Sequence, residues 1–138
     1  MGIKDIMKMG KRRSGHNREP PPKNEWPGGL VILETKNFDD FIDKYPVTLV
    51  DFYSPTCGPC IAMSRTIRLV SRQYKYKAAF GKVNVTENRE LAKRYKVMSI
   101  PYIVIFSYGK KVYTLMGKKS EKDLIEALDR VFSKLENR

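Results

Sequence analysis

The chain has two cysteines, one histidine and no apolar run approaching the roughly 18–20 residues that span a bilayer. Each shortage closes off a class of protein. Two cysteines are too few for the disulfide scaffold of a small secreted domain. A structural zinc ion wants four ligands, and beyond the cysteines the only further soft one is His16, far away in a basic N-terminal stretch. A structural zinc site within one chain is therefore not expected. Residues Met1–Arg18 are basic but lack an apolar h-region, which argues against a secretory signal. Gly2 followed by Ile6, where a serine or threonine is needed, does not fit N-myristoylation. These features read as a soluble, cytoplasmic protein with no membrane contact.

Acidic residues are also scarce. Asp and Glu number 15 against 27 Lys and Arg, for a formal charge of +12. Residues 1–29 hold seven of the cations and three of the acids, so the basic bias belongs to the rest of the chain as well. Such a field attracts acidic proteins, nucleic acid or anionic membrane without choosing among them. At 138 residues the chain is one domain's worth, long enough to bury a sizeable core.

What is present sorts into a tail and an alternating pattern. Residues 1–29 have little apolar periodicity, apart from Ile3, Ile6 and Met7 at helical spacing, and they run through Pro20-Pro21-Pro22 to Trp26-Pro27-Gly28-Gly29. They are expected to form a poorly ordered extension, with Trp26 pinning it to the domain surface or serving as a partner anchor. Residues 30–138 carry the domain. Leu30–Glu34 reads as a first strand, and Asn37 as the cap of a helix with Phe38, Phe41, Ile42 and Tyr45 on one face. Val47–Ser54 is near-continuously apolar, as a central strand buried on both faces would be. A long helix follows, with Met63, Ile67, Val70 and Tyr74 inward and Ser64, Arg65, Arg68, Ser71, Arg72 and Lys75 outward. Ala78–Val85 is a third strand and Asn88–Lys96 a short helix. Tyr102–Phe106 and Lys111–Met116 form a hairpin. Ser120 and Asp123 form a capping box for a final helix with a stripe of Leu124, Ile125, Leu128, Val131, Phe132 and Leu135. The order βαβαβαββα implies an α/β fold with parallel strands and helices on both sheet faces.

The chemistry concentrates in Asp51-Phe52-Tyr53-Ser54-Pro55-Thr56-Cys57-Gly58-Pro59-Cys60. Both cysteines lie two residues apart where a strand runs into a helix. A helix N-terminus presents unpaired N–H groups and a partial positive charge, which stabilise a thiolate. Cys57 is thus the expected nucleophile and Cys60, one turn in, the resolving thiol. Pro59 suits a first helical turn, and Gly58 is expected to keep the turn tight. The alternative is a neighbouring pair of inert buried thiols. Asp51 is a charge inside an apolar strand, and Lys82 holds a matching place in the next one. Either the two are buried and Asp51 exchanges protons with a thiol, or they face solvent at a sheet edge. Pro101 heads a strand and so marks a special turn, its peptide cis or trans.

From about Leu30 to Leu135 the chain resembles thioredoxin in order and spacing, through Val50-Asp51-Phe52-Tyr53, Cys57-Gly58-Pro59-Cys60, Lys82-Val83-Asn84-Val85, Tyr95-Lys96-Val97, Ile100-Pro101, Gly109 and Gly117. The resemblance implies a thioredoxin fold, with a central five-stranded mixed sheet flanked by four helices. It also implies a cis Pro101 beside the dithiol, and substrate contacts from Ile100, Pro101 and Gly117. Asp51 becomes a buried proton-transfer carboxylate with Lys82 as its partner. Three residues depart from the family pattern. Thr56 replaces the usual Trp before the first cysteine, Tyr53 stands where Trp is common, and Arg65 replaces the proline that kinks the active-site helix.

The expected activity is that of a thiol:disulfide oxidoreductase, mainly reducing protein disulfides, with roles in electron transport and cell redox homeostasis. Its only redox group would be the Cys57–Cys60 pair, tuned by Thr56, Gly58 and Pro59. Partners would be disulfide-containing proteins and a thioredoxin-reductase-like electron donor, with the protein acting as a monomer. The alternative is a thioredoxin-fold binding module whose basic tail and surface dock an acidic protein or nucleic acid.

Overall fold

In the computed structural model, which describes residues 18–137, alternating apolar strands stack side by side and amphipathic helices close over both faces. The elements are β1 (Leu30–Leu33), α1 (Thr35–Lys44), β2 (Thr48–Tyr53), α2 (Gly58–Gln73), β3 (Ala79–Asn84), α3 (Arg89–Arg94), β4 (Tyr102–Ser107), β5 (Lys110–Met116) and α4 (Glu121–Glu136). The five-stranded sheet has the order β1-β3-β2-β4-β5. The first three strands are parallel, β4 is antiparallel to β2, and β5 is antiparallel to β4. This is the thioredoxin fold that the resemblance implied.

The two-residue period of the strands decides which side chains meet which helices. On one face Leu49, Phe80, Ile103 and Ile105 meet Met63, Ile67 and Val70 of α2 and Leu124, Leu128 and Val131 of α4. On the other, Val50, Phe52, Val83, Val104 and Phe106 meet Phe38 and Ile42 of α1 and Leu91 of α3. Asp51 and Lys82 share the parity of Leu49 and Phe80, so they belong to the α2 face. β2 is buried over almost its whole length, as its composition predicts.

Helix ends follow local chemistry, with one correction. Ser120 caps α4, its Oγ accepting from Asp123 N at 3.1 Å while Ser120 N donates to Asp123 Oδ2 at 3.0 Å. Ser120→Ala should cost about 1 kcal/mol, read as a lower denaturation midpoint at unchanged slope. For α1, Asn37 is not the cap. Glu34 is, and Asn37 sits at the third helical position, its Oδ1 accepting from Glu34 N at 2.7 Å. The β4–β5 turn places Tyr108 and Gly109 both at positive φ, the backbone of a two-residue hairpin turn.

Part of the expected tail is built into the surface. Arg18 donates to the Asp43 carbonyl at 2.9 Å and its guanidinium lies over the Tyr108 ring. Residues Lys23–Glu25 form a single 3-10 turn. Trp26 packs on Tyr45 with ring centroids 4.9 Å apart, and its Nε1 donates to the Pro21 carbonyl. Trp26 therefore does pin this segment to the domain. The short helix expected around Ile3, Ile6 and Met7 lies outside the described residues.

Candidate active site

Strand pairing brings the scattered motif residues to one end of the sheet. β2 and β3 run parallel with Asp51 opposite Lys82 and Tyr53 opposite Asn84. β4 is antiparallel to β2 with Tyr102 opposite Phe52, so Ile100 and Pro101 enter beside the end of β2. β5 closes with Met116 opposite Tyr102, which sets Gly117 next to Pro101. Gly117 takes a φ of +86°, and its N–H donates to the Pro101 carbonyl at 2.9 Å. The Ile100–Pro101 peptide is cis.

The cysteines sit where β2 gives way to α2. Cys57 is the N-cap of α2, extended in backbone, and is joined to Cys60 in a disulfide with the Cα atoms 5.2 Å apart. Its Sγ accepts from the Cys60 backbone N–H at 3.2 Å, and Pro59 occupies the first turn, where a missing N–H does no harm. Cys57 is half-buried, whereas Cys60 is 1% exposed. Only the first sulfur is thus open to a partner, and it already receives a hydrogen bond from the helix start. Gly58 is not required by the turn. Its φ lies outside the left-handed region and a Cβ there would meet no atom within 4 Å. What its missing side chain leaves is open space at the start of α2.

Asp51 is fully buried, with no hydrogen-bond partner for either carboxylate oxygen. Burial pushes its pKa up to about 7, while the nearby Lys82 ammonium pulls the other way. The edge-strand reading of this pair is therefore wrong, since β2 and β3 are interior strands. Lys82 also holds its ammonium 4.7 Å from the centre of the Tyr53 ring. A cleft of about 260 Å³ opens beside Cys60, with Ser54, Ser64 and Lys82 in its lining. Among the described residues, no group of three or more His, Cys, Asp or Glu is placed to hold a metal ion. Nor is any helix there long and apolar enough to cross a membrane.

Three details were missed or misplaced in the sequence. Ser64, assigned to the outer side of α2, is buried. Its spacing of four from Cys60 puts it on the helix's inner arc, a signal that was available. Ser54 is buried as well, and its Oγ lies 3.1 Å from Thr56 Oγ1, so the hydroxyl that replaces the usual indole is tied to its own loop. Large exposed apolar side chains gather at this end, with Ile61 following Cys60, Met98 preceding Ile100 and Met116 preceding Gly117.

A disulfide-forming pair at the start of a helix, at the end of the sheet where a cis proline also enters, fits a thiol–disulfide oxidoreductase. Comparison with known proteins agrees. The family model described as thioredoxin matches residues 29–130. A thioredoxin of Griffithsia pacifica is 35% identical over 99 residues, covering 72% of this chain and 91% of its own. One of Staphylococcus aureus strain Mu50 is 34% identical over 101 residues, covering 73% and 96%. Among solved structures, a mutant thioredoxin from Halobacterium salinarum NRC-1 superposes with a TM-score of 0.72 at 29% identity, covering 77% of this chain and 93% of that one. Plasmodium falciparum thioredoxin gives 0.67 at 28%, covering 72% and 97%. The chain belongs to the thioredoxin family.

Proposed function

We propose that the protein reduces disulfides in other proteins by cycling Cys57 and Cys60 between dithiol and disulfide. The observation that carries this reading is the asymmetry of the pair, with Cys57 accessible at the α2 N-cap and Cys60 buried one turn in. In the reduced protein the Cys57 thiolate, favoured by the helix start, attacks one sulfur of a substrate disulfide. A mixed disulfide forms and the other substrate sulfur leaves as a thiolate. Cys60 then attacks Cys57, the second substrate sulfur departs, and the Cys57–Cys60 bond closes. The substrate gains two electrons and two protons, and the protein loses the same.

Asp51 is the group we assign to proton transfer in the second step. A thiol buried like Cys60 is a poor nucleophile until it loses its proton, and a carboxyl titrating near 7 can take that proton at neutral pH. Both groups belong to the layer between α2 and the sheet, and Lys82, which lies opposite Asp51, lines the same cleft as Cys60. Ile100, Pro101 and Gly117 would hold an extended substrate segment beside Cys57, with Ile61, Met98 and Met116 as apolar contacts. Thr56, Gly58 and Pro59 would tune access and potential. The unit would act as a cytoplasmic monomer with no further cofactor, recharged by a reductase of the thioredoxin-reductase kind.

The test is reduction of insulin with dithiothreitol as the terminal reductant. Purified protein should precipitate the insulin B chain at catalytic concentrations, well ahead of dithiothreitol alone. A time course no faster than dithiothreitol alone would overturn the reading.

A further inference from the structure

From Phe52 to Thr86 the chain contains no Asp or Glu, while it holds Arg65, Arg68, Arg72, Lys75, Lys77 and Lys82. The fold turns this imbalance into a face. Arg65, Arg68 and Arg72 recur every three to four residues, so they line one side of α2, and all three are exposed. Ile61 and Leu69 lie among them, 51% and 49% exposed. At a rise of 1.5 Å per residue the track from Ile61 to Arg72 runs about 16 Å, starting next to the disulfide. Its near end is the cleft beside Cys60, where Arg65, Arg68 and Lys82 converge.

None of the ion pairs among the described residues reaches α2, the pairs being Lys36–Glu34, Lys44–Glu25 and Arg94–Asp39. The carboxylates that do touch it meet only its end. Glu121 accepts from Gln73, and Asp129 from the Tyr74 hydroxyl. The arginine row is thus a positive track without internal compensation, seamed with aliphatic side chains and leading to the reactive sulfur. A nucleic acid would want open aromatic faces on which bases stack. Tyr76, just past the helix, has its ring covered by the ammonium groups of Lys23 and Lys75, each 5.2 Å from the centroid. Aliphatic groups between cations suit a protein segment, with apolar contacts at the centre and charge pairs around them.

We propose that this face of α2 docks an acidic, partly apolar segment of a disulfide-bearing protein substrate and so selects substrates whose disulfide is flanked by Asp and Glu. The proposal rests on the disulfide-reductase reading, and its experiment separates the two. An extended chain covers about 16 Å in roughly five residues, which sets the probe. Two disulfide-bridged peptides share a core, one flanked by a five-residue run of Glu and Leu and the other by Ser in place of Glu. Turnover of each is followed with dithiothreitol as reductant, at about 20 mM and about 300 mM salt. The acidic peptide should show a kcat/KM at least about 10-fold higher at low salt, within the range that electrostatic steering supplies, and the ratio should fall toward one at high salt.

In the variant Arg65→Gln/Arg68→Gln/Arg72→Gln the ratio should drop to within about twofold of one, while the serine-flanked peptide keeps its wild-type rate and so reports an intact fold. A wild-type ratio near one, or a preference that survives in the variant, overturns the proposal. Fluorescence anisotropy of the acidic peptide with its cysteines changed to serine reads docking without chemistry. Salt-sensitive binding lost in the variant supports the face even if neither peptide is reduced, a result that would sink only the reductase reading. A labelled oligo-dT that displaces the acidic peptide at lower concentration than the unlabelled peptide itself overturns the proposal in favour of nucleic acid.

Discussion

Asp51→Asn should leave the oxidised protein about 4 kcal/mol more stable at pH 8, relative to the difference between the two proteins at pH 3.5. The carboxyl titrates near 7 in the fold and near 3.8 in the unfolded chain. Between those values the folded state keeps a proton that the unfolded state has released, so stability falls as pH rises through that window and levels off above it. Each pH unit is worth about 1.4 kcal/mol, which over the window gives the figure above. The physical cause is a buried carboxylate whose oxygens have no hydrogen-bond partner and whose one helper is the Lys82 charge across the strand pair. Asparagine fills the same space and does not titrate. Urea unfolding at pH 3.5, 6 and 8 checks it. A difference independent of pH, or one that shifts in favour of the wild type between pH 3.5 and pH 8, would contradict the assignment.

The same substitution should slow release of the mixed disulfide near pH 7 by at least about 10-fold, because the proton acceptor for Cys60 is gone. A group left unpaired at a cost in stability is expected where it serves the reaction. If the release step is unchanged in the variant, Asp51 has no part in the chemistry and its burial needs another explanation.

Cys57→Ser should abolish insulin reduction, by more than about 10³-fold, since a serine hydroxyl is not ionised at neutral pH and has no sulfur to bond. Cys60→Ser should also lose turnover, for a different reason. Cys57 keeps its place at the α2 N-cap and still attacks, but the mixed disulfide then has no neighbouring thiol to resolve it. The two variants should therefore differ in what they retain. Only Cys60→Ser should consume one equivalent of a substrate disulfide. A Cys57→Ser protein with substantial turnover would mean that the buried sulfur attacks directly, against its 1% exposure.

Much of this site could be read from the chain because its determinants are local or periodic. The dithiol is a four-residue motif at a strand-to-helix junction. Asp51 and Lys82 stood out as charges inside apolar strands, and the two-residue period then placed both on one sheet face. Features that hung on distant contacts were harder to read. Arg18–Trp26 reads as tail because the groups it binds, Asp43 and Tyr45 at the end of α1 and Tyr108 in the β4–β5 turn, lie far from it in the chain. The Ile100–Pro101 peptide could not be assigned from its own residues, and only the resemblance implied cis. The start of α1 inverts the usual order: Asn is the favoured N-cap and Glu the favoured third residue, yet here Glu34 is the cap and Asn37 accepts from its N–H. Ser64 looks exposed by its polarity, whereas helical phase puts it on Cys60's side of α2, where it is buried.

The most direct test of the central claim is to trap the intermediate. Cys60→Ser, reduced and mixed with a disulfide-bearing peptide, should accumulate a covalent adduct one peptide half larger. Non-reducing digestion and mass spectrometry should map the bond to Cys57, and dithiothreitol should release it. A Cys60→Ser protein that forms no adduct, or a Cys57→Ser protein that forms one through Cys60 as readily, would contradict the account.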